Sequence, residues 1–74
     1  MRPVHIQWVD STSQYGWIHD SEVCTDLEII NTVGLLFKKD RDAYTVVLSA
    51  GETSGLVSGT IIIPKSAIKQ VKYL

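Results

Sequence analysis

Ile61-Ile62-Ile63-Pro64-Lys65-Ser66-Ala67-Ile68-Lys69-Gln70-Val71-Lys72-Tyr73-Leu74 is the stretch that decides the fold. A β-branched strand runs into a proline, which has no N–H to give to a β-ladder, and an apolar-bearing strand restarts at once. Pairing therefore stops at Pro64, Pro64–Ala67 makes one 3₁₀ turn, and Ile68 to Leu74 forms the last strand. A hairpin interrupted in this way is the closing element of a small five-stranded barrel.

The same period-two signal recurs outward from that corner. In Val4-His5-Ile6-Gln7-Trp8-Val9 the apolar Val4, Ile6 and Trp8 alternate with His5 and Gln7, which predicts a half-buried first strand. Asp10 to Gly16 is rich in residues that hydrogen-bond their own backbone and so favour turns, Trp17-Ile18-His19 is a brief apolar extension, and Asp20 to Cys24 is one short turn. Leu27 to Lys39 is a long second strand. Gly34 in its middle predicts a bend or bulge, because a missing side chain permits close approach. Lys39-Asp40-Arg41-Asp42 is a charged hairpin turn, Tyr44 to Ala50 a third strand, Gly51 to Gly55 a loop, and Leu56 to Ile63 a fourth strand. No repeat, linker or low-complexity segment interrupts the series, so the expectation is a single all-β domain over residues 1–74.

A chain of 74 residues buries only about 60% of the surface that its unfolded form exposes. Cys24 is the lone cysteine, and no Cys/His pairs offer a structural metal, so self-association is the expected stabiliser. No apolar run approaches the ~18 residues of a membrane span, and Met1-Arg2-Pro3-Val4 has no signal-peptide core. The expectation is a cytoplasmic protein without a membrane partner. Residues 1–37 carry one base, Arg2, against five acids, whereas residues 38–74 carry six bases against three acids. Such a dipolar chain suits head-to-tail packing of copies or a modest anion site.

Ile63-Pro64-Lys65-Ser66-Ala67-Ile68-Lys69-Gln70-Val71 resembles the second signature of Sm-like proteins, with apolar ends flanking a tight turn at the same spacing. It is also similar to the ending of Src-homology-3-type barrels. Pro64-Lys65 stand where the Sm pattern has its RNA-contacting Arg-Gly pair, and the first Sm signature and the leading helix are missing. The wider layout, Val-x-Ile-x-Trp-Val-Asp-Ser, then Gly-Trp, then a Thr-Val-Gly strand, then Ile-Pro-Lys-Ser-Ala-Ile, resembles small early-region proteins of bacteriophages and prophages. The resemblance implies an Sm-like barrel that assembles into a ring within a bacterial host cell.

The candidate site residues fall into groups. Tyr15 and Trp17 border the polar loop beside Trp8, so they form either an aromatic pocket that stacks a base or, more in keeping with a small barrel, a core Trp8 with Trp17 as a plug over one end. Lys38, Lys39 and Arg41 mark one hairpin, and Lys65, Lys69 and Lys72 the last turn and strand. A ring would multiply either group into a positive rim for RNA or a nucleotide phosphate, while on exposed edges the same lysines discourage wrong pairing. His19, Asp20, Glu22 and Cys24 match no zinc spacing, and the bland reading is a solvated turn with a small buried thiol at Cys24. Gly51 to Gly59 leads into a strand and lacks the Gly-Lys-Ser/Thr of a phosphate loop, and His5 and His19 suggest no nucleophile–base pair. No metal, cofactor or catalysis is expected.

Two classes of function follow. One is a non-enzymatic phage-type accessory protein, a homo-oligomeric ring binding RNA or a protein partner, with the fourth strand of one copy pairing the fifth of the next through Ile62 and Val71. The other is a small-molecule, nucleotide-sequestering counter-defence protein in which Tyr15, Trp17 and lysines of adjacent copies enclose the ligand. A purely structural adaptor is a third reading.

Overall fold

The computed structural model describes residues 1–74. Strand β1 (Arg2–Asp10) leads through a long loop containing a 3₁₀ turn at Asp20–Glu22 to β2 (Glu28–Lys39), β3 (Ala43–Ala50) and β4 (Val57–Pro64). A second 3₁₀ turn, Lys65–Ala67, precedes β5 (Ile68–Tyr73). The strands form one antiparallel sheet in the order β4-β3-β2-β1-β5. The five strands, the short turn near Asp20 and the 3₁₀ turn after Pro64 all fall where the period-two pattern and the proline place them. Trp17-Ile18-His19 forms no strand.

Alternation dictates which side chains share the core. Register pairs Val4 with Gly34, Ile6 with Thr32 and Val71, Leu36 with Val46, and Tyr44 with Ile63, so these residues lie on one face. Val4, Ile6, Tyr44, Val46 and Ile63 form the buried cluster, and Trp8, Leu36, Ile61, Ile68 and Val71 pack against it. Trp8 is anchored by its indole N–H, which donates to Thr32 Oγ1 at 3.0 Å. Residues of β4 and β5 thus share one core although the two strands lie at opposite edges of the sheet, which requires the sheet to curl.

Curling stops short of closure. No ladder joins β4 to β5, so the sheet is open where the sequence predicts a closed barrel. The second 3₁₀ turn explains the gap: the Lys65 N–H donates to the Asp42 carbonyl at 2.9 Å, which ties the chain after Pro64 to the β2–β3 turn rather than to β5.

Gly34 marks where the sheet divides. A Cβ placed there would lie 2.6 Å from Val46 Cγ1 and 2.8 Å from the Val47 carbonyl oxygen, so β3 crosses β2 too closely for any side chain. The β2–β3 ladder covers only Leu35 to Lys39 against Tyr44 to Val47, with the register shifting between Leu36 and Lys38. Upstream of Gly34, β2 pairs with β1 alone; beyond Val47, β3 pairs with β4 alone. The close approach expected at Gly34 is therefore present, a register shift follows between Leu36 and Lys38, and the sheet divides there into a β5-β1-β2 part and a two-stranded β3–β4 ribbon.

The result is an elongated chain of 54 × 23 × 21 Å with a radius of gyration of 15.8 Å, against about 11 Å for a compact domain of this length. Its accessible surface is 5814 Å², whereas a compact monomer of this mass exposes about 4,500 Å². Only six of the 74 residues are buried, so the hydrophobic contribution of an isolated copy is small. No helix is long and apolar enough to cross a membrane.

Candidate functional site

The corner between β2 and β3 gathers most of the predicted basic residues. Asp40 builds it: Oδ1 accepts the N–H of Asp42 at 2.8 Å and of Ala43 at 2.9 Å, and its own N–H donates to the Ala43 carbonyl at 3.1 Å. Asp is suited to this task because its short side chain caps its own turn. The register then sets Lys39 opposite Tyr44 and Lys38 opposite Thr45. Docking of the second 3₁₀ turn against Asp42 brings up Lys65, so that the ammonium groups of Lys39 and Lys65 each lie 5.8 Å from the centroid of the buried Tyr44 ring. Arg41 stands fully exposed, its Nε 3.8 Å from Asp42 Oδ1, a geometry that contributes little in water.

The corner thus combines Lys38, Lys39, Arg41 and Lys65 with the carboxylates of Asp40 and Asp42. The Asp40 carboxyl is held below its ordinary range first by the N–H groups of Asp42 and Ala43, against a small opposing desolvation, and further by the charges of Lys38 and Lys65. A depressed folded-state value stabilises the fold above the ordinary carboxylate range, and that contribution is lost as pH falls through the folded value. Asp40→Ala is therefore expected to be less stable than the parent at neutral pH, with the difference shrinking as acid is added below about pH 4. Thermal melts of both proteins across that range check it; a gap that stays constant in acid refutes the role of the charged form.

The other predicted ligand residues lie apart. Lys69 is exposed on the β5 edge, and Tyr15 and Trp17 are exposed in the loop between β1 and β2. No hydrogen bond or cation–π contact joins them to the corner. Trp17 is not a plug: its side chain is wholly accessible, because the loop from Ser11 to Leu27 carries no alternating pattern and packs no residue into the core. Trp8 alone of the tryptophans reaches the core, as its strand position predicts. Cys24 is likewise exposed rather than buried, with its N–H donating to Gln14 Oε1 at 2.8 Å and Sγ 3.9 Å from the Asp26 carbonyl. No group of three or more His, Cys, Asp or Glu residues converges.

Of the two residues predicted at a contact between copies, Ile62 is 66% exposed on the β4 edge. Val71 instead points inward, half-buried against the core opposite Ile6, so its substitution reports on folding rather than on contact.

One cluster escapes sequence reasoning. On the opposite sheet face, His5 and Gln7 of β1 pair with Lys72 and Gln70 of β5 and line an open recess of about 220 Å³. Asn31 Oδ1 lies 2.9 Å from His5 Nε2 and accepts from Gln7 Nε2 at 3.5 Å, fixing both side chains. Each strand shows a polar period-two face, but the register that assembles them spans nearly the whole chain and has no local signal. Compared with protein-family models, curated proteins and solved structures, the chain matches none.

Proposed function

We propose that this chain is a non-enzymatic accessory protein of phage type that assembles into an Sm-like ring of identical copies and presents a basic rim to RNA. The surplus of exposed surface over a compact monomer, about 1,300 Å², carries the self-association. The curled five-stranded sheet with a 3₁₀ corner before its last strand supports the Sm-like reading, because both of its edges are free and one of them, β4, exposes Ile62. Pairing β4 of one copy with β5 of the next satisfies those edges and supplies from a neighbour the closure that one copy lacks.

The β2–β3 corner supports the choice of RNA. Four cations on one corner are a weak field in a single copy, but a ring repeats them at regular spacing along a polyanion. Size-exclusion chromatography with light scattering is expected to return a multiple of 8.2 kDa, and Ile62→Asp, an exposed substitution, to lower that mass with strand content kept. Single-stranded RNA affinity is expected to fall with salt, and Lys39→Ala with Lys65→Ala to flatten the log–log slope by about 1 for each lost phosphate contact. A salt-independent affinity, or a slope untouched by both substitutions, contradicts the rim.

A further inference from the structure

The division of the sheet at Gly34 leaves a second unsatisfied feature. On one side of the fork, β2 from Glu28 to Val33 has β1 on one flank and no strand on the other; on the opposite side, Leu48 to Ala50 of β3 has β4 and no strand. Each open flank presents unpaired backbone N–H and C=O groups. Beyond Val47 the β3–β4 ribbon has two strands only, an arrangement that is marginal by itself in water. The strands that border the opening carry exposed apolar side chains: Val33 is 60% and Leu48 71% exposed, and Ile29 is also exposed. An apolar-rimmed opening between unpaired strands is a place for another strand.

We propose that the fork between the β1–β2 and β3–β4 ribbons is filled by the β3–β4 ribbon of a second copy, in a reciprocal two-fold exchange. The unpaired flank of β3 in one copy adds to the unpaired flank of β2 in the other, and the symmetry satisfies both forks with one type of contact. The occupant is a second copy for two reasons. First, the chain itself carries both halves of the contact, an unpaired flank of β2 with exposed Ile29 and Val33 and an unpaired flank of β3 with exposed Leu48. Second, between Ala43 and Pro64 the only charged side chain is Glu52, so this ribbon offers no cation to a phosphate backbone and suits apolar contact with its own kind. Leu48 lies directly against the Gly59 backbone, where an added Cβ would meet the Leu48 Cβ at 2.6 Å. With only a glycine opposite it on β4, Leu48 keeps most of its side chain exposed.

The inference rests on the self-association proposed above but not on the β4–β5 seam, and the two contacts separate experimentally. Leu48→Asp and Ile62→Asp alter exposed residues on different surfaces. Light scattering is expected to show the parent as an even-numbered assembly, Ile62→Asp as a dimer held by the fork, and Leu48→Asp at half the parent mass. In a Cys24→Ser background, Val33→Cys and Leu48→Cys chains mixed in equal amounts are expected to oxidise mainly to the mixed disulfide dimer, with each chain alone giving little. That cross-link also serves if Leu48→Asp does not fold. A parent that stays monomeric at high concentration overturns both readings. An assembling parent whose mass Leu48→Asp leaves unchanged, or whose mixed cysteine chains form no mixed dimer, overturns the fork alone; so does a fork occupied only when a different protein is added.

Discussion

Ile63→Ala is expected to cost about 2–5 kcal/mol of stability, enough to leave much of the protein unfolded at ambient temperature. Ile63 is completely buried, and it links β4 to the residues of β1 and β3 that form the cluster. A domain of ordinary size has roughly 5–15 kcal/mol in total, and a cluster of five buried residues belongs near the bottom of that range. Removing Ile63 takes methylene groups from the centre of the cluster, where neighbours from three strands cannot all collapse inward. Urea titrations followed by far-ultraviolet circular dichroism give the difference directly. A midpoint within error of the parent protein would show that the curled core is not what holds the edges together.

Gly34→Ala is expected to destabilise the chain by about 1–3 kcal/mol through overpacking. The new methyl group would meet Val46 Cγ1 at 2.6 Å and the Val47 carbonyl oxygen at 2.8 Å, a buried side chain and a backbone atom, neither of which can swing aside. The strands must part, and the β2–β3 ladder, already confined to Leu35–Lys39 and Tyr44–Val47, is the only ladder that joins the two parts of the sheet. Gly16→Ala is the matched control. Its φ of +90° lies in the left-handed region, yet nothing stands within 4 Å of the added methyl group, so the cost there is conformational and about 1 kcal/mol. Equal losses at the two positions would refute the close crossing at Gly34.

These two residues show what a sequence reveals. Ile63 lies next to a proline in a β-branched run, and Gly34 is a residue without a side chain in the middle of a long strand; both signals are local, so strand, corner and close approach are legible from residue types alone. The loop from Ser11 to Leu27 is different. Trp17 there invites a buried role on the strength of its size, but no periodicity assigns it a facing surface, and it lies open to water. Whether the sheet closes was equally hidden, since closure depends on where the Lys65 amide finds its acceptor, and Asp42 lies far away in sequence. The basic corner was half legible: Lys38, Lys39 and Arg41 are neighbours in sequence, whereas Lys65 joins them only through that same hydrogen bond. His5, Gln7, Asn31, Gln70 and Lys72 come together through two ladders whose registers no stretch of sequence displays.

The pairing of Val4 with Tyr73 and of Ile6 with Val71 has a kinetic consequence. Strands β2 to β4 meet through short hairpins and β1 meets β2 across one longer loop, but the second flank of β1 is covered only when β5 is present. During synthesis the Val4 and Ile6 side chains emerge well before Val71 and Tyr73, the β5 residues that complete their cover. Refolding is therefore expected to be limited by docking of the C-terminal strand, and a nascent chain paused before Ile68 is the species in which an uncovered first strand invites misassembly.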